Sequence, residues 1–316
     1  MGAGRGPGRG GRPHAPGRPR ETPLTCRNPA DRVRPVNVIT FPAYDGTRLA
    51  CHVRGGGPPL VCLPGGPMQD SAYLAGLDGL LPHRGVVRLD LRGTGSSATP
   101  DDPSGYRCDR LVDDVEALRE HLGLEKLDLL AHSAGANLAA LYAARHPGRV
   151  GRLLLVTPSV FAVGITVTGD DRLETARLRA AEPWFAPAYA ALEELVAGRA
   201  TPDTFGAIAP FWYGRWDDAA RAHRAAEEGH KNQEAAAAYG AEGAFDPDAT
   251  RAALAALDAP VMLLAGGTDL AAPPRAMAAY AALFPDASLT VQPDAGHYPW
   301  LDDPQAFAAA VSAFLA

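Results

Sequence analysis

The sequence predicts an α/β fold in which a mostly parallel β-sheet is covered by helices and interrupted by a helical insertion. Short apolar strands alternate with helical segments over residues 36–159, and the alternation resumes over residues 251–316. This alternation is typical of a parallel sheet with helices on both faces. Residues 160–250 show no strand pattern and are rich in Ala, Glu, Arg and aromatic residues, which indicates several helices. We therefore expect an α/β core formed by residues 36–159 and 251–316, and a helical lid formed by residues 160–250.

The core elements follow from local patterns taken in chain order. Alternation and apolar runs predict strands, and Asp45-Gly46 predicts a hairpin between the first two. A helix is predicted over 111–122, because Leu111, Val115 and Leu118 share one face. The predicted strands are 36–41, 48–53, 60–63, 86–89, 127–130, 153–156, 261–264 and 288–291. The remaining predicted core helices are 137–145, 277–283 and 307–315.

Residues 1–35 have a different composition from the rest of the chain. Eight arginines against Glu21 and Asp31 give this segment a charge of +6, whereas the whole chain carries −6. A run of Gly, Arg and Pro cannot bury apolar surface, so we expect a disordered tail. One interpretation is an RNA-binding tail; another is a solvated tail, or upstream sequence from a wrongly chosen start codon. The tail lacks the aromatic residues that stack on bases, which favours the second.

The composition also limits the classes of partner. The acidic body has no basic face, so we expect no nucleic-acid partner. No stretch of eighteen apolar residues and no signal-peptide core are present, so we expect no membrane segment. Four cysteines, at Cys26, Cys51, Cys62 and Cys108, have no metal-binding or redox spacing. We therefore expect no metal, no disulfide framework and a cytoplasmic protein.

The residues 127–138 run from an apolar strand into a helix with Ser133 at the junction. A tight turn there requires small residues two places before and after the serine, and these are Ala131 and Gly135. This is the nucleophile-elbow pattern with alanine in place of its first glycine. A serine at a helix N-terminus is well placed to react, because free N–H groups stabilise a developing anion. Ser133 is the candidate nucleophile, and the N–H of Ala134 is the candidate first oxyanion donor.

Three further segments place polar residues after predicted strands. The 60–63 strand ends in a Pro-Gly-Gly-Pro loop, where Gly66, with Gly65 as the alternative, is the candidate second oxyanion donor. Asp269 follows a strand and a glycine turn, where acids point into the ligand crevice of an α/β sheet. His297 lies in a Gly- and Pro-flanked loop, where functional residues concentrate. We assign Asp269 as the orienting acid and His297 as the general base.

From about Val36 to Ala316 the chain resembles the α/β-hydrolase superfamily, and within it the prolyl aminopeptidase-like branch. The resemblance depends on LPGGP at 63–67, LDLRGTGSS at 89–97, AHSAG at 131–135, GGTD at 266–269 and GHYPWLDDP at 296–304. The order Ser133, Asp269, His297 is that of the superfamily. The branch has His-Gly-Gly-Pro-Gly in the oxyanion loop, whereas this chain has Pro64 and Met68 at the outer positions. The branch also holds the substrate amine with lid carboxylates.

These observations predict a cofactor-free serine hydrolase acting on an ester, amide or lactone of a small molecule or short peptide. An N-terminal prolyl aminopeptidase is the sharpest option, and an esterase is another. A non-catalytic ligand-binding protein on the same fold is the alternative. Trp212 and Tyr213 are candidate substrate contacts, although aromatic residues also pack lid cores. Among the lid carboxylates, which include Glu227, Glu228 and Glu234, we expect Glu242 to face the cleft, since the residues around it suggest a turn.

Overall fold

The structure is a computed structural model that describes residues 1–4, 37–79, 83–227 and 229–316. The expected tail therefore lies almost entirely outside the described residues, and so does Glu228. The chain divides into two units, Met1–Arg34 and Pro35–Ala316, and the fold described below is that of the second unit.

An eight-stranded sheet forms the centre of this unit. Its order is β1-β2-β4-β3-β5-β6-β7-β8; β2 runs antiparallel to both β1 and β4, and every other pair is parallel. The predicted mostly parallel α/β fold is confirmed. The strands are β1 (Asn37–Pro42), β2 (Arg48–Gly55), β3 (Pro59–Leu63), β4 (Gly85–Asp90), β5 (Leu127–His132), β6 (Val150–Val156), β7 (Val261–Gly266) and β8 (Ala287–Gln292).

Most strands extend one to three residues beyond the apolar runs that predicted them. Gly85 and Asp90 of β4 are examples, because they pair with residues of β2 although neither belongs to an apolar run. Strands β4 and β7 are buried at every position. The sequence of β7 is accordingly apolar throughout, whereas β4 also buries the charged side chains of Arg88 and Asp90. At the predicted hairpin, Gly46 adopts a φ of 84°, which a residue with a side chain rarely adopts.

Helices cover the sheet and form the insertion. Between β6 and β7, the described residues form helices and turns, together with one isolated bridge from Gln69 to Lys231. The core helices are α1 (Cys108–His121), α2 (Gly135–Arg145), α9 (Pro274–Ala281), α10 (Pro299–Asp302) and α11 (Pro304–Leu315). Those of the insertion are α3 (Gly169–Arg177), α4 (Phe185–Val196), α5 (Pro202–Ala207), α6 (Asp218–Ala226), α7 (Gln233–Tyr239) and α8 (Pro247–Leu254).

The apolar residues form one cluster on each face of the sheet. In β3, Val61 and Leu63 belong to the cluster beneath α1, α2 and α9, whereas Leu60 and Cys62 belong to the cluster with α11. This division follows the two-residue period of a strand. A third, smaller cluster lies in the insertion around Phe211. The parallel strands therefore end on one side of the sheet, where Ser133 follows β5 and Asp269 follows β7.

Candidate active site

Ser133 occupies a strained turn between β5 and α2. Its φ is 52°, in the left-handed region that residues with side chains rarely adopt. A Cβ added to Gly135 would lie 2.6 Å from the carbonyl oxygens of Leu63 and Pro64, so only glycine fits there. Ala131 is fully buried in β5. Packing therefore requires glycine at position 135, and the buried Ala131 is the small residue on the other side of the serine.

Asp269 and His297 are in direct contact. Asp269 is fully buried, and its Oδ2 lies 2.8 Å from Nδ1 of His297 while its Oδ1 accepts the N–H of Ala271. Helix α9 begins only at Pro274, so Asp269 does not cap it. With Nδ1 held by the carboxylate, the Nε2 of His297 is the ring nitrogen left to act on another group, and it has no hydrogen-bond partner among the described residues.

The backbone of His297 is held from three sides. Its N–H donates to the carbonyl of Trp212 at 2.7 Å. Its carbonyl accepts from Nε2 of His132 and from Oγ1 of Thr157, both at 2.9 Å. His297 and Ser133 line the same two adjoining cavities, and no hydrogen bond joins their side chains in the described structure. The geometry therefore offers a fixed imidazole and a strained serine facing a shared space.

The loop after β3 lies against the elbow. A Cβ added to Gly65 would come within 2.8 Å of the Ser133 Cβ. The N–H of Gly65 donates to the Tyr73 hydroxyl at 2.7 Å, so the alternative oxyanion donor is already engaged. The N–H groups of Gly66 and Ala134 have no partner in the described part of the chain. Both are therefore free to donate to a ligand.

Tyr73 and His132 connect this loop to His297, and no sequence pattern indicates a role for Tyr73. The Tyr73 hydroxyl accepts from Gly65, so its own proton is directed to Nδ1 of His132 at 2.8 Å. His132 therefore carries its proton on Nε2 and donates it to the carbonyl of His297. Burial lowers the pKa of His132 well below its ordinary value, followed in size by repulsion from His297, so His132 stays neutral. Because both its ring nitrogens are occupied, His132 does not compete with His297 as a base.

The first cavity measures about 590 Å³ and lies under the insertion. Trp212 and Tyr213 both line it, and the Trp212 ring meets the His297 ring edge-on with centroids 5.4 Å apart. Tyr213 is buried, and its hydroxyl bonds Nδ1 of His223 at 3.0 Å. Trp184 packs instead on Phe211 in the insertion cluster. The aromatic residues of the insertion are thus divided between the cavity wall and its own packing.

The expectation for Glu242 is wrong. Glu242 is exposed and lines neither cavity; its carbonyl accepts from Arg107, and the adjacent Gly243 adopts a φ of 81°. The turn that the sequence predicts does form, but it packs against Arg107 at the start of α1 rather than over Ser133. Phe245, which lies close to Glu242 in the sequence, packs on Tyr239.

Glu227 is the insertion carboxylate that lines the first cavity. Its side chain is 7% exposed. It accepts hydrogen bonds from Nε2 of Gln69 at 3.2 Å and from the hydroxyl of Tyr298 at 3.0 Å. The sequence alone does not distinguish Glu227 from the other acids of the insertion, because its position at the end of α6 resembles that of any solvated helix-face residue.

The second cavity measures about 510 Å³ and has a different character. It shares five residues with the first, which include Ser133 and His297, and extends along the segment that follows β6. Apolar side chains line most of this extension, together with the hydroxyl-bearing Thr157, Ser159 and Thr166 and with Arg172 of α3. Burial lowers the pKa of the Arg172 guanidinium from its ordinary value. The apolar members are Val160, Phe161, Ile165 and Val167.

Two absences complete the description. In the described ranges, no group of three or more His, Cys, Asp or Glu side chains is arranged to hold a metal ion. Within these same ranges, no helix combines the length and apolar composition that a membrane span requires.

Comparison with known proteins gives a consistent result. The family model for the alpha/beta hydrolase fold matches residues 58–304. A proline iminopeptidase from Lactobacillus helveticus is 42% identical over 121 residues, which is 37% of this chain and 41% of that protein. A human (lyso)-N-acylphosphatidylethanolamine lipase is 34% identical over 125 residues, 39% of this chain and 36% of that protein. The matched part thus spans about two fifths of each curated relative.

Among solved structures, the proline iminopeptidase of Mycobacterium smegmatis aligns with a TM-score of 0.68 at 26% identity. The alignment covers 88% of this chain and 97% of that one. An esterase from Thermogutta terrifontis aligns with a TM-score of 0.61 at 24% identity, over 89% of this chain and 98% of that one, which supports the fold alone. The relatives named proline iminopeptidase agree with the branch that the sequence motifs resemble.

Proposed function

This chain belongs to the α/β-hydrolase family, and on that premise we propose that it is a cofactor-free serine hydrolase cleaving an ester, amide or lactone bond of a small molecule. The observation that carries the proposal is the strained Ser133 facing the same cavities as His297, whose Nδ1 is 2.8 Å from the buried carboxylate of Asp269. A left-handed serine between a strand and a helix is costly, and such strain concentrates at functional sites.

In the proposed mechanism, Oγ of Ser133 attacks the substrate carbonyl while Nε2 of His297 takes its proton. Asp269 holds the imidazole in the tautomer with a proton on Nδ1 and stabilises the imidazolium that forms. The N–H groups of Gly66 and Ala134 would donate to the oxyanion. His297 then returns the proton to the leaving group, and a water activated by the same imidazole hydrolyses the acyl-enzyme.

We assign residues 160–250 the role of a lid. They contribute Trp212, Tyr213 and Glu227 to the first cavity, and Arg172 of α3 to the second. A lid of this kind selects the substrate and excludes water from the reacting carbonyl.

The mechanism is tested by labelling with a fluorophosphonate, which reacts with activated serines, and by Ser133→Ala. We expect the probe to label Ser133, and the variant to lose turnover of short-chain aryl esters by several orders of magnitude, because triad members act as a unit. Ser104→Ala is the matched control, since Ser104 is exposed and bonds only within its own turn. Labelling of another residue, or full activity in Ser133→Ala, would remove Ser133 from the mechanism.

An N-terminal prolyl aminopeptidase is a second candidate, and Glu227 is the observation that favours it. A substrate amine is cationic, and burying it unpaired would cost several kcal/mol. Glu227 supplies a carboxylate in the wall of the first cavity, held in place by Gln69 and Tyr298. The relatives named proline iminopeptidase support the same candidate.

This candidate predicts cleavage of prolyl arylamides that depends on Glu227. Glu227→Gln should raise KM for the arylamide by about tenfold to a hundredfold, since a hydrogen bond to a charged group is worth about 1.5–3 kcal/mol, and should leave neutral esters nearly unaffected. Glu242→Gln, which changes an exposed carboxylate away from both cavities, is the control. Cleavage of esters without turnover of the prolyl arylamide would instead favour an esterase. Ligand binding without any turnover would support a non-catalytic binding protein.

A further inference from the structure

Arg172 lines the second cavity together with Ser133 and has no charged side-chain partner in the described part of the chain. Its Nη1 donates to the carbonyl of Leu270 at 3.2 Å, and no acidic side chain of the described residues lies within 4 Å of it. A guanidinium has five N–H donors in a planar fork, so most of them are left for another acceptor.

The acids that act on Arg172 from a distance are both engaged elsewhere. These are Asp269 and Asp171. Both oxygens of Asp269 are used, by His297 and by the N–H of Ala271. Oδ2 of Asp171 accepts from the backbone and hydroxyl of Thr168 in the capping box of α3. Neither carboxylate therefore neutralises Arg172 by direct pairing.

The surroundings of Arg172 favour an anionic ligand group. No Asp or Glu is among the residues that line the second cavity, and its extension beyond Ser133 is largely apolar. An unpaired cation against an apolar wall is costly, as the lowered pKa of Arg172 reflects. A planar carboxylate accepts two parallel bonds from a guanidinium and brings one compensating charge.

Because Arg172 and Ser133 line one cavity, we propose that the preferred substrates carry a free carboxylate on one side of the scissile carbonyl and that Arg172 binds it. This inference rests on the proposed serine-hydrolase function and specifies its substrate class. The carboxylate-bearing arm lies in the second cavity, among the apolar side chains around Val160. The first cavity, which contains Glu227, holds the other side of the substrate.

The test uses paired chromogenic esters of equal chain length. Nitrophenyl hemiesters of four-, five- and six-carbon dicarboxylic acids carry a terminal carboxylate, and nitrophenyl esters of the matching monocarboxylic acids do not. We expect the wild-type protein to prefer the hemiester of one length by about tenfold to a hundredfold in kcat/KM, the range that a charge-assisted hydrogen bond provides. Arg172→Gln should abolish this preference, which is measured in each variant as the ratio of kcat/KM for the hemiester to kcat/KM for the matching neutral ester.

Three further variants make the result specific. Arg172→Lys keeps the positive charge but not the planar fork of guanidinium donors, so it should retain part of the preference for the hemiester. It also gives an independent result if Arg172→Gln fails to fold. Arg177→Gln, an exposed change on the same helix, should behave as the wild type. Arg224→Gln tests the partly exposed arginine in the wall of the first cavity.

The outcomes separate this inference from the proposed function. Ser133-dependent cleavage with no hemiester preference, or a preference that survives Arg172→Gln, would overturn the carboxylate subsite and leave the hydrolase intact. Loss of the preference in Arg224→Gln with retention in Arg172→Gln would overturn the assignment to Arg172. No cleavage of any ester, with Ser133 unlabelled, would instead contradict the proposed function.

Discussion

Replacing Tyr73 with Phe would test whether the candidate oxyanion loop and the proposed base His297 are held by one hydrogen-bonded chain. The change removes only the hydroxyl, which accepts from the N–H of Gly65 at 2.7 Å and bonds Nδ1 of His132 at 2.8 Å. Gly65 and His132 are buried, so both polar groups would lose their partner. Each buried group left unsatisfied costs about 1–3 kcal/mol.

Tyr73 lines the first cavity, so water can partly replace its hydroxyl as the partner of Gly65 and His132. We therefore take the lower part of that range for each of these two groups. The free energy of unfolding should fall by about 2–4 kcal/mol, and Tm by roughly 5–10 °C for a body of this size. Losing a whole oxyanion donor costs about 10²–10³ in kcat. Loosening the loop beside Gly66 should cost less, so we expect kcat for an aryl ester to fall about tenfold to a hundredfold with little change in KM.

The assay combines thermal unfolding with steady-state kinetics, and Tyr280→Phe is the control. Tyr280 is fully buried and its hydroxyl has no partner in the described structure, so removing that hydroxyl should cost neither stability nor activity. If Tyr73→Phe matches Tyr280→Phe in both Tm and kcat, the chain from Gly65 to His132 does not position the site. A loss of stability with unchanged kcat would assign Tyr73 a structural role only.

Three further predictions concern the acid, the elbow and one histidine. Asp269→Asn should lower kcat by about 10⁴, because the amide no longer holds His297 in the catalytic tautomer; a loss below tenfold would contradict this role. Gly135→Ala would place a Cβ 2.6 Å from two backbone oxygens and should cost about 1–3 kcal/mol of stability, whereas Gly148→Ala, with nothing within 4 Å, should be neutral. Burial lowers the pKa of His223, so the unfolded chain binds a proton first as pH falls below about 6.5. The free energy of unfolding should therefore decrease from pH 7 to pH 6. In His223→Gln this decrease should be smaller, by up to about 1.4 kcal/mol per pH unit. Urea titrations that give the same pH dependence for both proteins would refute this.

The sequence by itself determined the parts of the fold that depend on local geometry. A four-residue apolar run must be covered on both faces, and this requirement predicted the parallel sheet. The turn at Ser133 leaves no room for a side chain at Gly135 and buries Ala131, so its sequence carries a local signature. Asp269 and His297 could be placed because each follows a strand of the sheet, and the carboxyl ends of parallel strands meet at one edge.

Only the tertiary structure decided which insertion residues reach the site. The acids of the insertion have similar local surroundings, and their contact with the cavity depends on how α6 and α7 pack over the sheet. That packing brings Glu227 to Gln69 and Tyr298, whereas Glu242 is exposed and its backbone carbonyl accepts from Arg107.

The same limit applies to the groups around the candidate oxyanion donors and to Arg172. Gly65 and Gly66 are equivalent in sequence, and the choice between them depends on the hydroxyl of Tyr73, which approaches from a separate segment. Arg172 lines the second cavity and has no carboxylate partner among the described residues, and both properties depend on tertiary packing. Local sequence specifies backbone conformation because its causes lie within a few residues, whereas these contacts join residues far apart in the chain.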